Sequence, residues 1–189
     1  MIYRARKQPK NGVQYPHQTL RHPANVPYVV DNLWEWVRPE EYPDRRRSAF
    51  ASPSRELAIE SVHGDAIAFE VEFLGAHTIA QLTDYDDAKY HPECRSLKKL
   101  LMKLLGAQWL SLPLSEKSEA GRLFLPCLGK DDVEGLFQTA ALYPFRDEVR
   151  DAVRYWSGVR LIEGADDVAA KGEIFFEYPG GYRLKPLVG

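Results

Sequence analysis

The residue types that most often perform chemistry are present in this chain, but not at the spacings of familiar catalytic motifs. The sequence contains no GxxxxGK[ST] phosphate-binding loop, no GxGxxG after a strand, no GxSxG and no HExxH. Its five histidines include no pair four residues apart, so a zinc site on one helix has little support. Cys94 and Cys127 form no CxxC motif, which is typical of free thiols in a reducing compartment. Any catalytic chemistry must therefore come from residues that lie far apart in sequence.

Two charged clusters have both a functional and a structural interpretation. The arginines at 45–47 either form a solvated loop or bind an anion such as pyrophosphate or nucleic acid. Asp84, Asp86 and Asp87 could hold a divalent cation, but they lack the glycine and the distal glutamate of a calcium loop. A solvated turn is favoured for the aspartates, and no metal site is predicted.

A third pattern is spread over the chain in three short blocks. The first block is Tyr3-Arg4 on an opening strand. The second is the small-residue segment 48–53 (SAFASP), which runs directly into a predicted helix. The third is a late strand that opens with Glu173 and continues with apolar residues 174–176.

In this order, the three blocks resemble the ADP-ribosyltransferase family, whose members split NAD between nicotinamide and ribose. The resemblance implies an α+β fold, a single domain over residues 1–189 with mixed or antiparallel sheets and flanking helices. It also implies NAD as substrate and transfer of ADP-ribose to a protein or nucleic-acid target. Compact relatives are often bacterial toxins, effectors or defence proteins, phage defence included, so the resemblance further implies an antitoxin or immunity partner.

The resemblance assigns NAD binding to five residues near the start of the chain. These are Tyr3, Arg4, Ser48, Phe50 and Ser52. Arg4 would bind the ribose or a phosphate, because its planar guanidinium presents paired donors to oxygen atoms. Ser48 or Ser52 would hydrogen-bond the adenosine-side ribose or the carboxamide, and Phe50 would provide a stacking wall.

The resemblance assigns catalysis to Glu173. Its carboxylate would accept a hydrogen bond from the nicotinamide ribose and stabilise the oxocarbenium-like cation that forms as the glycosidic bond breaks. Glu177 lies on the same face of the strand, beside a Pro-Gly-Gly turn, and is interpreted as solvated. Lys171 stands where many family members carry a second acid, which implies a target nucleophile other than arginine.

Composition limits the remaining function classes. The 189 residues carry a net charge of −2 and are 44% hydrophobic, which is typical of one globular domain. No apolar run approaches the ~20 residues that span a bilayer, and no signal peptide is visible, so a cytoplasmic protein without membrane contact is expected. Residues 1–50 hold nine basic and five acidic side chains, which is compatible with a phosphate-bearing ligand but far from a nucleic-acid-binding composition.

Periodicity and turn residues predict most of the secondary structure. Strands are predicted at 2–5, 48–51, 66–73, 123–126, 172–178 and 182–187, and helices at 31–37, 53–62, 93–106, 131–142 and 145–155. Ser52 is predicted to cap the second helix, and residues 179–181 (PGG) are predicted to reverse the chain between its last two strands. Trp34 and Trp36 cannot share a helix face, so at least one of them is expected to be exposed or to cover the preceding loop.

A function of another class is also compatible with the sequence. The proline-rich segment 8–43 could be the interaction surface of a non-catalytic immunity or adaptor module, with Tyr15, Tyr28 and Trp34 as exposed aromatics. A third hypothesis is a nucleic-acid contact through the arginines at 45–47, which predicts steep salt dependence of binding.

Overall fold

The computed structural model describes residues 1–8, 11–62, 64–106, 113 and 118–187. The contacts among them divide the chain into two compact units. Unit 1 consists of Met1–Leu20, Glu40–Ala88 and Gly158–Gly189, and unit 2 of Arg21–Pro39 and Lys89–Ser157. The predicted α+β class is confirmed at the level of a mixed α/β chain with antiparallel sheets. The ADP-ribosyltransferase-like fold and the single domain over residues 1–189 stay predictions.

The described residues form seven strands and six α-helices, most of them short. In chain order they are β1 (Tyr3–Arg6), α1 (Tyr28–Trp36), β2 (Ala49–Ala51), α2 (Arg55–Glu60), β3 (Ile67–Phe73), β4 (Thr78–Leu82), α3 (Glu93–Leu105), α4 (Ser118–Arg122), α5 (Lys130–Phe137), α6 (Arg146–Ala152), β5 (Val159–Leu161), β6 (Glu173–Glu177) and β7 (Tyr182–Pro186). None of the described helices combines the length and the apolar character that crossing a bilayer requires.

Unit 1 is built on two antiparallel sheets whose strands come from distant parts of the chain. One sheet has the order β1-β3-β7 and the other the order β2-β6-β4-β5. The sheets are joined where Tyr3 of β1 and Ser52, just after β2, exchange two backbone hydrogen bonds of 2.8 Å. This bridge sets the strand that carries Arg4 against the end of β2.

The interior strand β6 is buried on both faces. Ile174, Phe175 and Phe176 have no exposed surface, as expected for a continuous apolar run inside a covered sheet. Ile174 and Phe176 belong to a core cluster that also contains Val71 of the other sheet, so the cluster lies between the sheets. Side chains alternate along a strand, so Glu173 and Phe175 lie on the opposite face of β6.

The glycines after β6 carry the chain from one sheet to the other. The predicted reversal between two paired strands is wrong, because β7 pairs with β3 and not with β6. Gly181 has a φ of +85°, which favours glycine. A Cβ on Gly180 would lie only 2.7 Å from the Cα of Gly75, so the close approach of these two backbones requires that both residues lack side chains.

The start of α2 differs from the prediction. Ser52 was expected to be the helix cap, but its backbone is extended and paired with Tyr3. The cap is Ser54, whose Oγ accepts a hydrogen bond of 3.2 Å from the backbone N–H of Leu57, and the helix begins at Arg55. The Ser52 hydroxyl is therefore not required to cap α2.

The predicted strand at 123–126 is wrong. These residues follow α4 as turns, although Leu123 is completely buried. The side chain of Asn32 donates hydrogen bonds to the carbonyl oxygens of Leu123 at 2.8 Å and Leu125 at 2.7 Å. A buried amide from a distant helix thus satisfies backbone groups that a neighbouring strand would otherwise have satisfied.

In unit 2, helix α1 is enclosed, and both of its tryptophans are buried. Trp34 is 1% exposed and Trp36 is 6% exposed, so neither ring is exposed to solvent, the first of the two expected alternatives. The indole N–H of Trp34 donates to Glu93 at 2.8 Å, and that of Trp36 donates to Glu134 at 2.9 Å. The two rings face opposite ways, as their spacing requires, and each side of α1 has its own partner helix.

The two glutamates that accept these bonds have opposite electrostatic environments. Burial raises the pKa of Glu93, although hydrogen bonds from the Arg154 backbone and from Trp34 partly oppose the shift. The pKa of Glu134 is lowered, mainly by hydrogen bonds from the Arg146 guanidinium. The contact between Trp34 and Glu93 therefore includes a desolvation cost, whereas in the contact between Trp36 and Glu134 the carboxylate also forms an ion pair with Arg146.

Candidate active site

Glu173 is the first residue of β6, and the surrounding backbone fixes its position. Its N–H donates to the carbonyl oxygen of Tyr85 at 2.9 Å. One carboxylate oxygen accepts a hydrogen bond from Arg45 at 2.6 Å, and the other accepts from the backbone N–H of Ala88 at 3.2 Å. The side chain is 12% exposed, so it is mostly buried and held from two directions.

Arg45 is the charged partner of Glu173, and its guanidinium lies over two neighbouring aromatic rings. Its guanidinium carbon lies 5.0 Å from the ring centre of Phe50 and 4.8 Å from that of Phe175, and its side chain is 11% exposed. The three arginines therefore differ. The solvated-loop interpretation is wrong for Arg45 and for Arg46, which is 4% exposed, whereas Arg47 is 54% exposed at its side chain.

Asp86, one residue of the acidic cluster, positions the start of β6. The side chain of Asp86 accepts a hydrogen bond of 2.9 Å from the N–H of Gly172. Gly172 has a φ of +110°, and a Cβ there would lie 2.1 Å from the carbonyl oxygen of Leu82. Among the described residues, no group of three His, Cys, Asp or Glu side chains is arranged to hold a metal ion. Asp86 thus contributes to the turn that presents Glu173.

The predicted residues of the second block lie on β2 and beside it. Phe50 is directly opposite Phe175 of β6, and Ala51 is opposite Ile174. Ser52 follows Ala51, at the end of β2 that pairs with the start of β6. Ser48 lies at the other end of the strand, where its hydroxyl is committed to the carbonyl oxygen of Asp44 at 2.7 Å. Of the two serines, Ser52 is therefore the better placed to act with Glu173.

The predicted residues of the first block occupy opposite faces of β1. The Tyr3 backbone forms the bridge to Ser52, and its hydroxyl lies 4.0 Å from the sulfur of Met1. Arg4 donates a hydrogen bond to the Tyr182 hydroxyl, and its guanidinium carbon lies 5.4 Å from the centre of that ring. Tyr182 belongs to the core cluster between the sheets, so Arg4 is anchored toward that side.

The backbone therefore brings the three predicted blocks together, whereas their charged side chains have separate anchors. β1 meets Ser52, and β2 is paired with the strand that Glu173 opens. Arg4 is anchored by Tyr182 toward the core between the sheets, whereas Glu173 is anchored by Arg45 on the opposite face of β6. The structure therefore does not bring these two predicted site residues together.

Sequence reasoning did not find the pairing of Arg45 with Glu173. Arg45 stands in a run of three like residues, and its partner is 128 positions away. The only available signal was the position of the run immediately before the small-residue strand. A basic residue there can reach the neighbouring strand's first residue once β2 and β6 have paired.

Comparison of the chain with protein-family models, curated proteins and solved structures gives no match to any of the three. The functional interpretation therefore depends on the geometry of unit 1 and on the three-block resemblance. Cys94 and Cys127 form no disulfide with each other.

Proposed function

We propose that the chain is an ADP-ribosyltransferase-like enzyme that consumes NAD and transfers ADP-ribose to a protein or nucleic-acid target. The observation that carries the proposal is the meeting of three strands: β1 with Arg4 is bridged to Ser52, and β2 is paired with β6, which opens with Glu173. Three blocks from distant parts of the sequence are thus neighbours along the backbone, and this supports the proposal. A toxin, effector or defence role, with a neutralising partner, would accompany this activity.

In the proposed reaction, the bond between nicotinamide and the ribose C1′ breaks, and its electron pair leaves with nicotinamide. A nucleophile of the target forms the new bond to C1′ and gives up a proton. The Glu173 carboxylate would stabilise the positive charge that develops on the ribose, a role whose loss commonly costs ~10²–10³ in rate. A carboxylate has about four acceptor directions, and the Arg45 and Ala88 donors use two of them. A ribose hydroxyl could therefore be accepted as well.

Arg45 has a second role in this proposal. A guanidinium beside Glu173 reduces the negative potential that the carboxylate presents to a cation. The same guanidinium is a strong bidentate partner for phosphate oxygens, so the pyrophosphate of NAD would compete with Glu173 for it. Binding of the substrate would thereby increase the negative potential of Glu173 at the reacting sugar.

The test is release of nicotinamide from NAD by the purified protein, followed by chromatography. Glu173→Gln keeps the size of the side chain and an acceptor for Arg45 but removes the charge, and we expect a loss of at least ~100-fold in rate. Glu177→Gln is the matched control, because it lies on the same strand and the same face and should retain activity. Melting curves of the wild type and of both variants identify the temperature range in which each protein is folded.

Two results would contradict the proposal in different ways. Full activity of Glu173→Gln would show that the catalytic residue is another one. Absence of nicotinamide release, together with absence of any melting shift in millimolar NAD, would remove the enzymatic proposal. A ligand at a hundredfold excess over its Kd stabilises the folded state by ~2.7 kcal/mol, which is a measurable shift.

The alternative function, a non-catalytic binding module, is supported by two exposed aromatic residues of the segment 8–43, Tyr28 at 41% exposure and Tyr15. Tyr15 is 67% exposed, and the backbone of the preceding residue, Gln14, is fixed by two hydrogen bonds to Tyr182 of 2.8 and 3.0 Å. An exposed ring on an ordered backbone is typical of an interface anchor. Trp34, expected in the same surface, is buried and cannot contribute. Loss of a captured partner on Tyr15→Ala, in a protein that does not respond to NAD, would favour this function.

A further inference from the structure

We propose that unit 2 carries a binding surface for single-stranded nucleic acid, formed by the outer face of α3 and by Tyr90, which precedes that helix. The outer face of α3 presents four exposed cations and is named the α3 basic face (Arg95, Lys98, Lys99 and Lys103). The contacts are with phosphates and with unpaired bases, so no sequence specificity is expected. The inference does not depend on the proposed transferase activity, because every residue assigned to that activity belongs to unit 1.

Helical geometry separates the cations of α3 from its buried side. Successive residues turn by about 100° around the helix axis, so the four cations lie within an arc of about 140°. Leu97 and Leu101, each 1% exposed, lie on the opposite side. The one acid of the helix, Glu93, is buried and accepts a hydrogen bond from Trp34. The outer side of α3 is therefore positive without a compensating carboxylate of the same helix, although the whole chain has a net charge of −2.

The α3 basic face has its positive charge available for a partner. Among the described residues, no carboxylate forms an ion pair with any of the four cations, the exposed acids of the neighbouring helix α6 included. Arg95, Lys99 and Lys103 repeat every four residues, which is a rise of about 6 Å per step along the helix. A row of cations is complementary to a partner whose negative charges also form a row, and a phosphate chain is such a partner.

Tyr90 adds an exposed aromatic ring just before this face in the chain. It is 66% exposed, and the Lys89 ammonium lies 4.8 Å from the centre of its ring. The backbone that joins it to α3 is ordered, because the N–H of Cys94 donates to the carbonyl oxygen of His91 at 3.0 Å. Cations that follow the phosphates, combined with aromatic rings on which bases stack, are the means by which proteins bind single strands without sequence preference.

A lipid membrane matches these features less well than nucleic acid does. A helix that lies on a membrane buries its apolar side at the acyl boundary, so that side must be accessible. In α3 the apolar side faces the interior of unit 2, where Leu97 and Leu101 are buried. An exposed tyrosine ring can stack on a base, whereas a phospholipid headgroup has no aromatic ring. Nucleic acid is therefore the partner that the observations favour.

The test is the fluorescence anisotropy of a labelled oligothymidylate of about 12 nucleotides, titrated with the full-length protein at about 50 to 200 mM NaCl. Binding of a single strand releases about 0.7 counterions per phosphate contacted, so four contacts predict a slope of about −2.8 for log K against log[NaCl]. Affinity should thus fall about 50-fold over this range. Lys98→Gln combined with Lys99→Gln should reduce the slope to about −1.4. Lys7→Gln combined with Arg55→Gln is the matched control, since it removes two exposed cations of unit 1, and it should leave the slope unchanged.

A second pair of variants tests the stacking ring. Tyr90→Leu keeps an apolar side chain without the ring, and it should weaken binding at least about fivefold. Its salt slope should equal that of the wild type, because stacking releases no counterions. Tyr143→Leu is the matched control, because Tyr143 is also 66% exposed and also belongs to unit 2, and it should change Kd less than about twofold.

Three results would each overturn the inference. The first is absence of saturable binding of the oligonucleotide at the lowest salt concentration, whether or not the protein binds vesicles of phosphatidylserine. The second is a salt slope that the double lysine variant does not reduce. The third is an equal loss of affinity in Tyr90→Leu and Tyr143→Leu. All the substituted residues are exposed, so these variants report recognition rather than folding.

Discussion

The pairing of Arg45 with Glu173 predicts a large and specific coupling energy. Both side chains are nearly nine-tenths buried, and their N–O distance is 2.6 Å. Removing one member of a buried pair leaves an uncompensated charge and costs ~3–5 kcal/mol. Each side chain retains about a tenth of its surface in water, so we expect the lower end of that range. Arg45→Met should therefore reduce the free energy of unfolding by about 3 kcal/mol.

The double variant separates the ion pair from the packing of Arg45. Arg45→Met also loses two cation–aromatic contacts, worth roughly 0.5–1 kcal/mol each at partly exposed sites, whether or not Glu173 is present. In Arg45→Met with Glu173→Gln, neither charge is left unpaired. The double variant should thus be more stable than the sum of the single losses predicts, by about 2 kcal/mol.

The measurement is urea unfolding of the wild type, both single variants and the double variant. Arg47→Met is the matched control, because Arg47 is 3.5 Å from Asp44 but 54% exposed at its side chain, and surface pairs contribute ~0–1 kcal/mol. A coupling energy below about 0.5 kcal/mol, or equal losses from Arg45→Met and Arg47→Met, would refute the reasoning.

Three further predictions concern other parts of the chain. Gly172→Ala should reduce the free energy of chemical unfolding by more than about 3 kcal/mol, because the residue has a positive φ and the new Cβ would lie 2.1 Å from a backbone oxygen. Gly106→Ala is the control, since Gly106 has a φ of +85° but open space around it, and it should cost only about 1 kcal/mol. Burial raises the pKa of Glu93, so the native state holds that proton more tightly than the unfolded chain does. The unfolding free energy of the wild type relative to Glu93→Gln should therefore fall as pH rises from 4.5 through the raised value. Hydrogen bonds from Arg146 lower the pKa of Glu134. The unfolding free energy of the wild type relative to Glu134→Gln should therefore be at its full value above pH 4.5 and should fall as pH falls through the lowered pKa. Equal pH slopes for Glu93→Gln and Glu134→Gln in urea unfolding would contradict both assignments.

Local patterns were sufficient where one segment determines its own structure. Leucines at three- and four-residue spacing predict a helix over 93–106, and α3 occupies Glu93–Leu105. The apolar run after Glu173 predicts a buried strand, and β6 is buried on both faces. In each case the periodicity of the side chains corresponds directly to the geometry of the element.

Patterns failed where a residue's environment comes from another segment. The spacing of Trp34 and Trp36 correctly places them on different faces of α1, but it cannot reveal that both faces are covered. Glu134, which accepts from Trp36, is 98 positions away. The predicted strand at 123–126 failed for the same reason, because the hydrogen-bond partner of its backbone is Asn32 of a distant helix.

The sequence by itself determined the mixed α/β class, the position of the main helix, and the three blocks that contain Arg4, Ser52 and Glu173. Tertiary structure alone decided that β7 joins β3, that Ser54 rather than Ser52 caps α2, and that Arg45 pairs with Glu173. The physical reason is that backbone propensity and side-chain periodicity act over a few residues. Strand pairing, desolvation and ion pairing depend on which distant segments meet, and that is specified only when the whole chain packs.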